Sequence, residues 1–321
     1  MTNREHADAA WLELTKTTDS YPAWKRKGFP AGTHWAAARA HLDQITDVVA
    51  EPPAPPPPVT APFAFRGIFC RDTEFDACYA HLDDLGVNVM GIWTSGTYNN
   101  ALKRMNQLVA PHLRWTTIGL FTASTTGGTF NTTDAQVATI VQSIAQHPRN
   151  SHLYYIVDDT GNDMRSFTPA QRQLNLDRIK ARVALIHLYD PLAIVSGSDY
   201  RPEQLQPGIW KGVHDEVVLD AYPSPNVDAA PDVIPNMAAW CDAVGMDYLI
   251  SLSAHDYLGD RPSYPTELQF ATMYAQARAT RAHGVMLYTW YDAEGSVHLR
   301  DNPPPPLTGW ATVKRQQLVM V

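Results

Sequence analysis

The strongest constraint on the fold is an alternation, repeated eight times, of a short apolar run and a longer amphipathic segment. The runs are rich in β-branched and aromatic residues, which favours β-strands, and the segments carry apolar residues at helical spacing. Strands joined by helices form parallel, right-handed crossovers, and uninterrupted apolar strands are typical of a sheet covered on both faces. The predicted strands are Phe65 to Phe69, Val87 to Trp93, Trp115 to Phe121, Leu153 to Val157, Leu192 to Ser196, Glu216 to Leu219, Tyr248 to Ser251 and Val285 to Trp290.

The segments between these runs predict the helices that would cover the sheet. Eight strand–helix units over about 240 residues are what a closed (β/α)8 barrel requires. We therefore predict an α/β fold, a (β/α)8 TIM barrel. An open, doubly wound sheet is the alternative, but the first strand–helix turn lacks the GxGxxG motif of a dinucleotide-binding sheet. The predicted helices are Glu74 to Leu85, Asn99 to Val109, Thr133 to His147, Pro169 to Leu188, Pro202 to Trp210, Asp232 to Val244 and Thr266 to His283.

Two proline tracts divide the chain. Seven of the 25 prolines lie in residues 51–62, and four more form residues 303–306. Polyproline segments are extended and semi-rigid and cannot continue a helix, so they separate structural units. The first 50 residues carry two short amphipathic helices, which are too small for a core of their own. We predict a helical docking segment at 1–50, a proline-rich linker at 51–62, the barrel at 63–302 and a C-terminal tail at 303–321.

Charge and composition exclude several partners. The chain has 25 Lys and Arg against 33 Asp and Glu, a net charge of −8, and no basic run. This predicts no binding to nucleic acid and no attraction to an anionic membrane. No apolar stretch is long enough for a membrane span, and the first residues lack the basic-then-apolar order of a signal peptide. The three cysteines lack metal-ligand spacing, so we predict no metal and no cofactor.

A parallel barrel places its reacting groups where its strands end, because eight loops converge there on one bowl. Carboxylates and aromatic residues dominate these positions and lysine is absent from them, which argues against Schiff-base chemistry. Acids beside aromatic rings suit a sugar, because the acids protonate the glycosidic oxygen and stabilise the oxocarbenium ion while the rings pack against C–H faces. The candidate residues are Trp93, Asp158, Asp159, Asp220, Tyr222, His255, Asp256, Trp290, Tyr291, Asp292 and Glu294.

Two of these strand ends resemble motifs of glycoside hydrolase barrels. YYIVDDT at 154–160 is similar to a YYxxDEP signature at the end of strand four, and VLDAYP at 218–223 is similar to a DxYP motif at strand six. Strand eight, ending in Trp290, also matches. The resemblance implies that Asp159 is the general acid, that Asp158 orients it or binds sugar, and that Asp220 and Tyr222 line the floor of the site.

The chain departs from that family at both catalytic positions. The large retaining clan uses a glutamate acid after strand four and a glutamate nucleophile after strand seven, whereas strand seven here is followed by SAHD at 253–256. Carboxyl groups about 5 Å apart would predict a retaining reaction, and groups about 6.5 to 9.5 Å apart an inverting one. The candidates for the catalytic partner of Asp159 are Asp220, Asp256, Asp292 and Glu294.

The helical docking segment at 1–50 carries a second resemblance. YPAWK at 21–25 and PAGTHW at 30–35 are similar to segments near the start of minor tail proteins of actinobacterial phages. This implies a virion component, made in the host cytoplasm, in which residues 1–50 dock on other phage tail proteins and the proline tract is a spacer. The barrel would then face the host, so the resemblance implies a cell-envelope polysaccharide as its partner.

Two functions remain open at this point. One is a glycoside hydrolase with Asp159 as its acid, and the other is a non-catalytic glycan-binding or structural tail protein on a degenerate hydrolase barrel. Asp158 and Asp159 are also typical of a helix N-cap, and Trp93 and Trp290 of residues that close a barrel core. Facing carboxylates with a raised pKa favour the enzyme, whereas acids held in salt bridges under an aromatic platform favour the binder.

Overall fold

The structure, a computed structural model, describes residues 63, 65–93, 100–108, 113–199, 209–221, 233–254, 265 and 267–288. Within them eight parallel strands pair in a closed ring. The ring closes because the first strand pairs with the second, Gly67 opposite Val89, and also with the last, Phe65 opposite Gly284. The predicted (β/α)8 barrel is confirmed, and the open sheet is wrong.

Each barrel strand overlaps a predicted run. The third run is wrong at its end, because its strand stops at Thr117 and Gly119 follows with a φ of +77°. Phe121 instead pairs with Phe130 in a short antiparallel hairpin outside the barrel. In chain order the strands are β1 (Phe65–Arg71), β2 (Val89–Trp93), β3 (Leu113–Thr117), β4 (Phe121–Thr122), β5 (Thr129–Phe130), β6 (Asn150–Val157), β7 (Ile194–Asp199), β8 (Glu216–Ala221), β9 (Asp247–Ser253) and β10 (Gly284–Tyr288), of which β4 and β5 form the hairpin.

Local signals set the starts of the longer helices. Thr133 and Thr168 each cap a helix, accepting a hydrogen bond from the backbone of the glutamine three residues on, whose side chain bonds back. The predicted helix Glu74 to Leu85 is instead two short ones, and 201–208 of the predicted helix Pro202 to Trp210 lie outside the described residues. The helices are α1 (Phe75–Tyr79), α2 (Leu82–Leu85), α3 (Asn100–Gln107), α4 (Asp134–Ile144), α5 (Thr160–Asp163), α6 (Pro169–Tyr189), α7 (Val233–Val244) and α8 (Glu267–Arg278).

Side chains along β8 alternate between two cores. Val217 and Leu219 pack under the outer helices, whereas Val218 packs inside the barrel. Because successive side chains of a strand point to opposite faces, Glu216 and Asp220 share the inner face with Val218. Asp220 therefore lies at the carboxyl end of the barrel interior and Glu216 at its amino end.

The chain divides into two compact units, Met1–Pro57 and Pro58–Val321, and the barrel belongs to the second. The first unit lies outside the described residues, as does the tail at 303–321. The docking segment at 1–50, the linker at 51–62 and the tail therefore stay predictions. In the part of the chain that the structure describes, every helix is too short or too polar to cross a membrane.

Candidate active site

Three carboxylates meet at the carboxyl end of the barrel. Asp158 and Asp159 directly follow β6, and Asp220 is the penultimate residue of β8. One carboxylate oxygen from each lies within 4.8 Å of the corresponding oxygens of the other two. Asp220 is 8% exposed, and the other two are partly buried. The structure thus brings three candidate residues from two strand ends into one acidic cluster.

Asp159 occupies a left-handed backbone conformation, with φ +47° and ψ +24°. Among residues with a side chain, Asp and Asn adopt this conformation with the least strain. It turns the chain from β6 into α5, where the N–H of Asn162 donates to the Asp159 carbonyl at 3.0 Å. Asp159 stands at the N-cap position of α5, yet its side chain makes no capping hydrogen bond. Its Oδ1 is buried and has no hydrogen-bond partner among the described residues.

A hydroxyl network beneath the cluster holds Asp158. The hydroxyl of Tyr155 lies 2.8 Å from Asp158 Oδ1 and 2.7 Å from Ser198 Oγ, and Ser198 Oγ lies 2.8 Å from the same carboxylate oxygen. The backbone N–H of Asp159 donates to Ser198 Oγ at 3.2 Å. Tyr155 and Ser198 therefore link the two neighbouring acids to β7.

A fourth carboxylate, Asp199, lies behind the turn and is fully buried. Its Oδ2 accepts a hydrogen bond from Trp210 Nε1 at 2.9 Å. A Cβ on Gly161 would lie 2.5 Å from the same oxygen, so the turn after Asp159 requires glycine there. Asp199 thus joins the Asp159 turn to the segment before β8.

Sequence reasoning missed these supporting residues as members of the site. Ser198 and Asp199 follow the predicted fifth strand, so the rule that strand ends form the bowl places them there, but the sequence assigns them no role. Tyr155 lies within the YYIVDDT segment, but only the packing shows that its hydroxyl reaches Asp158. Trp210 carried no signal, since it ended a predicted helix.

Burial and neighbouring carboxylates raise the pKa values of acids in this cluster. Burial raises the pKa of Asp159 from 3.8 to about 9, with further contributions from the charges of Asp220, Asp158, Asp199 and Asp163 in that order. Burial and the charge of Asp158 also raise the pKa of Asp163. At neutral pH Asp159 therefore carries a proton. A carboxyl group whose pKa is raised by burial and by neighbouring carboxylates is typical of a general acid.

Aromatic rings form the floor beneath the acids. Phe69 on β1 packs edge-on against Tyr155 at 5.7 Å between ring centroids and against Tyr288 at 5.8 Å. All three rings belong to the cluster inside the barrel, and Tyr288 is only partly buried. Phe69 and Tyr155 are buried, so Tyr288 is the ring of the three that a sugar could contact.

The other candidate residues are not brought to the cluster by the described part of the chain. Trp93 is the last residue of β2, at the same end of the barrel. The remaining candidates lie outside the described residues: Tyr222, His255, Asp256, Trp290, Tyr291, Asp292 and Glu294.

The acidic cluster has only part of what a hard cation needs. Its three carboxylate oxygens are close enough to share one ion. Calcium takes six to eight oxygen ligands and magnesium six, so one oxygen from each residue supplies half a shell at most, and water would have to complete it. The described residues therefore do not by themselves form a complete metal centre.

Comparison with known proteins supports the fold. Neither protein-family models nor curated protein sequences gave a match. Among solved structures, a GH2 β-galacturonidase from Eisenbergiella tayi bound to galacturonate has a TM-score of 0.52 at 14% identity, over 79% of this chain and 51% of that one. A calcium-binding mutant of Bacteroides uniformis β-glucuronidase 2 also has a TM-score of 0.52, at 12% identity over 71% of this chain and 31% of that one.

The chain spans about half or less of the length of these structures. At such identities the likeness shows the barrel alone. Fold and site together define a (β/α)8 barrel whose bowl holds a protonated aspartic acid among aspartates. The function has to be argued from that site.

Proposed function

We propose that the barrel is a glycoside hydrolase that acts on a host cell-envelope polysaccharide, with Asp159 as its general acid. The observation that carries this proposal is the approach of carboxylate oxygens of Asp159 and buried Asp220 to within 4.8 Å, where the pKa of Asp159 is raised. Glycosidic hydrolysis needs one carboxyl group to give a proton and another to stabilise or attack the sugar cation. An aspartate with a raised pKa beside a second aspartate meets that need.

The spacing supports a retaining reaction. Retaining carboxyl pairs stand about 5–5.5 Å apart and inverting pairs about 6.5–9.5 Å, and oxygens of Asp159 and Asp220 lie within 4.8 Å. Asp159 gives its proton to the glycosidic oxygen as the C1–O bond breaks, and Asp220 attacks C1 to form a glycosyl ester. Asp159, now ionised, removes a proton from water, which hydrolyses the ester and frees Asp220.

The same electrostatics favour the second half of the reaction. The charge of Asp220 is the largest charge effect that raises the pKa of Asp159. When Asp220 becomes an ester it loses that charge, so the pKa of Asp159 falls and the group can serve as a base. The acid and base roles of Asp159 therefore follow the charge of its partner.

The substrate class rests on the sequence and on the floor of the site. The partly exposed ring of Tyr288, supported from below by buried Phe69, suits the apolar face of a sugar ring. The likeness of 21–35 to minor tail proteins of actinobacterial phages supports a tail protein whose residues 1–50 dock on the tail and whose barrel meets the host envelope. In that setting the substrate is an envelope polysaccharide.

One observation favours the alternative, a non-catalytic glycan-binding tail protein. Ala254, fully buried, follows β9, close to where the retaining clan carries its nucleophile. A barrel that has lost that glutamate could keep the bowl for binding alone. Against this, Asp158 and Asp159 form no ion pair with the described residues, whereas a binder would be expected to neutralise its acids.

Incubation with isolated actinobacterial cell-wall polysaccharide tests the proposal. Wild type should release new reducing ends, and Asp159→Asn and Asp220→Asn should each lower the rate about a hundredfold or more. Asp177→Asn, an exposed carboxylate on α6, is the matched control and should leave the rate unchanged.

Two results would decide against hydrolysis. Binding of the polysaccharide without release of reducing ends supports the glycan-binding alternative, and equal release by Asp159→Asn removes Asp159 as the acid. Proton NMR of the first product separates the stereochemical outcomes. Retention of the anomeric configuration supports Asp220 as the nucleophile, and inversion contradicts it.

A further inference from the structure

We propose that Ser198 is a positioning residue, which holds Asp158 and the strained turn at Asp159 so that the acid faces Asp220. The proposal deepens the hydrolase function and rests on it only for its catalytic consequence. Ser198 lies on β7, the strand between β6, which carries the two neighbouring acids, and β8, which carries Asp220.

The hydrogen-bond capacity of Ser198 is fully used at this point. A serine hydroxyl donates one hydrogen bond and accepts two. Ser198 Oγ has three partners: the Tyr155 hydroxyl at 2.7 Å, Asp158 Oδ1 at 2.8 Å and the Asp159 N–H at 3.2 Å. The Asp159 N–H can only donate, and Asp158 Oδ1 is the acceptor for Ser198 Oγ. Ser198 therefore donates to Asp158 and accepts from Asp159, and the single proton of the Tyr155 hydroxyl lies between Ser198 Oγ and Asp158 Oδ1.

The turn that Ser198 holds is a strained one. The left-handed conformation of Asp159 persists only where its surroundings hold it. Ser198 bonds the backbone of Asp159, and Asp199 behind it leaves room only for glycine at 161. Because Ser198 is 2% exposed, water cannot replace its hydroxyl without rearrangement. The one side chain thus fixes both the backbone of Asp159 and the carboxylate next to it.

Loss of the Ser198 hydroxyl should lower the pKa of Asp159 through two effects. Asp158 loses a hydrogen-bond donor and can move away from Asp159, which weakens the repulsion between them. The turn relaxes and the Asp159 carboxyl gains solvent. Burial and the charge of Asp158 both raise the pKa of Asp159, so both changes should lower it.

Carbon-13 NMR titration of labelled aspartate carboxyl groups in the full chain tests this directly. In Ser198→Ala the Asp159 midpoint should fall by about one pH unit or more, a tenfold change in proton affinity. Ser198→Thr retains the hydroxyl and should restore most of the wild-type value. A midpoint in Ser198→Ala equal to that of wild type would overturn the proposal.

Ser196→Ala is a matched control on the same strand. Ser196 lies two residues earlier on the same inner face and is also fully buried. Its Oγ has no hydrogen-bond partner among the described residues. Its removal should leave the Asp159 midpoint unchanged. An equal shift in Ser196→Ala and Ser198→Ala would show a general packing effect and would also overturn the proposal.

A further variant and the activity assay distinguish failure of the Ser198 proposal from failure of the proposed hydrolase function. Tyr155→Phe removes one hydroxyl of the network and keeps the ring, so it should give a smaller fall in the same direction, even if Ser198→Ala does not fold. In an active enzyme the alkaline limit of kcat/KM, which reports the free enzyme, should move down in Ser198→Ala by the same number of pH units as the NMR midpoint. If wild type shows no hydrolysis, the proposed function fails, while the NMR midpoints still decide the role of Ser198.

Discussion

Replacement of Asp159 by asparagine is expected to stabilise the fold at neutral pH while it abolishes hydrolysis. Burial, and then the charges of Asp220 and Asp158, raise the pKa of Asp159 from 3.8 to about 9. At pH 7 the unfolded chain releases the proton of this carboxyl group, whereas the folded chain keeps it. The interval between the unfolded pKa of 3.8 and pH 7 is about three pH units, and at about 1.4 kcal/mol per unit it lowers the free energy of unfolding by ~4 kcal/mol. Asparagine cannot ionise, and it tolerates the left-handed backbone as well as aspartate does.

The sign of the pH dependence follows from the raised pKa. Below pH 3.8 both states of wild type hold the proton, so this loss is absent. The loss grows as the pH rises towards the folded pKa, to about 2 kcal/mol at pH 5 and about 4 kcal/mol at pH 7. Asp159→Asn removes this dependence. The difference in unfolding free energy between variant and wild type should therefore widen from pH 4 to pH 7.

Urea unfolding followed by tryptophan fluorescence at several pH values measures this difference. Asp177→Asn, on the exposed side of α6, should show no such trend. The reasoning is refuted if Asp159→Asn and wild type unfold at the same urea concentration at pH 7. It is equally refuted if the difference in unfolding free energy between them is the same at every pH. A pH-independent difference would have a cause other than the buried proton.

Three further predictions follow from contacts at the two ends of the barrel. Burial raises the pKa of Glu216, and the contact of its carboxylate with His283 at 3.0 Å partly offsets this rise. His283→Gln should therefore lower the free energy of unfolding by about 1–3 kcal/mol at pH 7. In urea unfolding that deficit should vanish below pH 4.5, where Glu216 is neutral in both states; a deficit independent of pH would contradict it. Gly161→Ala places a Cβ 2.5 Å from Asp199 Oδ2 and should lower kcat more than it raises KM, whereas unchanged kinetics would show that the turn yields freely. Because four carboxylates act on Asp159, an oligosaccharide bearing a uronate should bind about tenfold or more weakly than its neutral counterpart in calorimetry, and tighter uronate binding would count against this.

Sequence signals predict the barrel well because they are local. Apolar runs, the threonine caps at 133 and 168 and the spacing of the strands each depend on a few neighbouring residues. The misplaced end of the third predicted strand has a local cause as well, since Gly119 takes a positive φ and Phe121 then pairs with Phe130 instead of a barrel strand. A glycine between two apolar residues is compatible with either outcome, so the sequence could not decide between them.

The sequence predicts which residues of the site lie at strand ends, but it does not predict the contacts between them. That Asp158, Asp159 and Asp220 follow or end strands is visible in the sequence, and parallel strands bring their ends together. The role of Ser198 depends on register. Tyr155 lies opposite Ser196 and Val157 opposite Gly197, so an irregularity between Tyr155 and Val157 shifts β6 by one residue against β7. Side-chain periodicity carries no record of such a shift, and without it Ser198 would not meet Asp158.

The use of aspartate in place of glutamate also has a structural reason. A left-handed turn after β6 favours aspartate, whose carboxyl reaches less far into the bowl than that of glutamate. A nucleophile after β9 would stand three strands away from this acid, whereas Asp220 on β8 stands two strands away, a separation of about 10 Å between strand backbones. The nearer strand compensates for the shorter acid, so oxygens of the pair come within 4.8 Å. Ser198, on the strand between them, hydrogen-bonds the backbone of Asp159 and thus supports the Asp159 side of the gap.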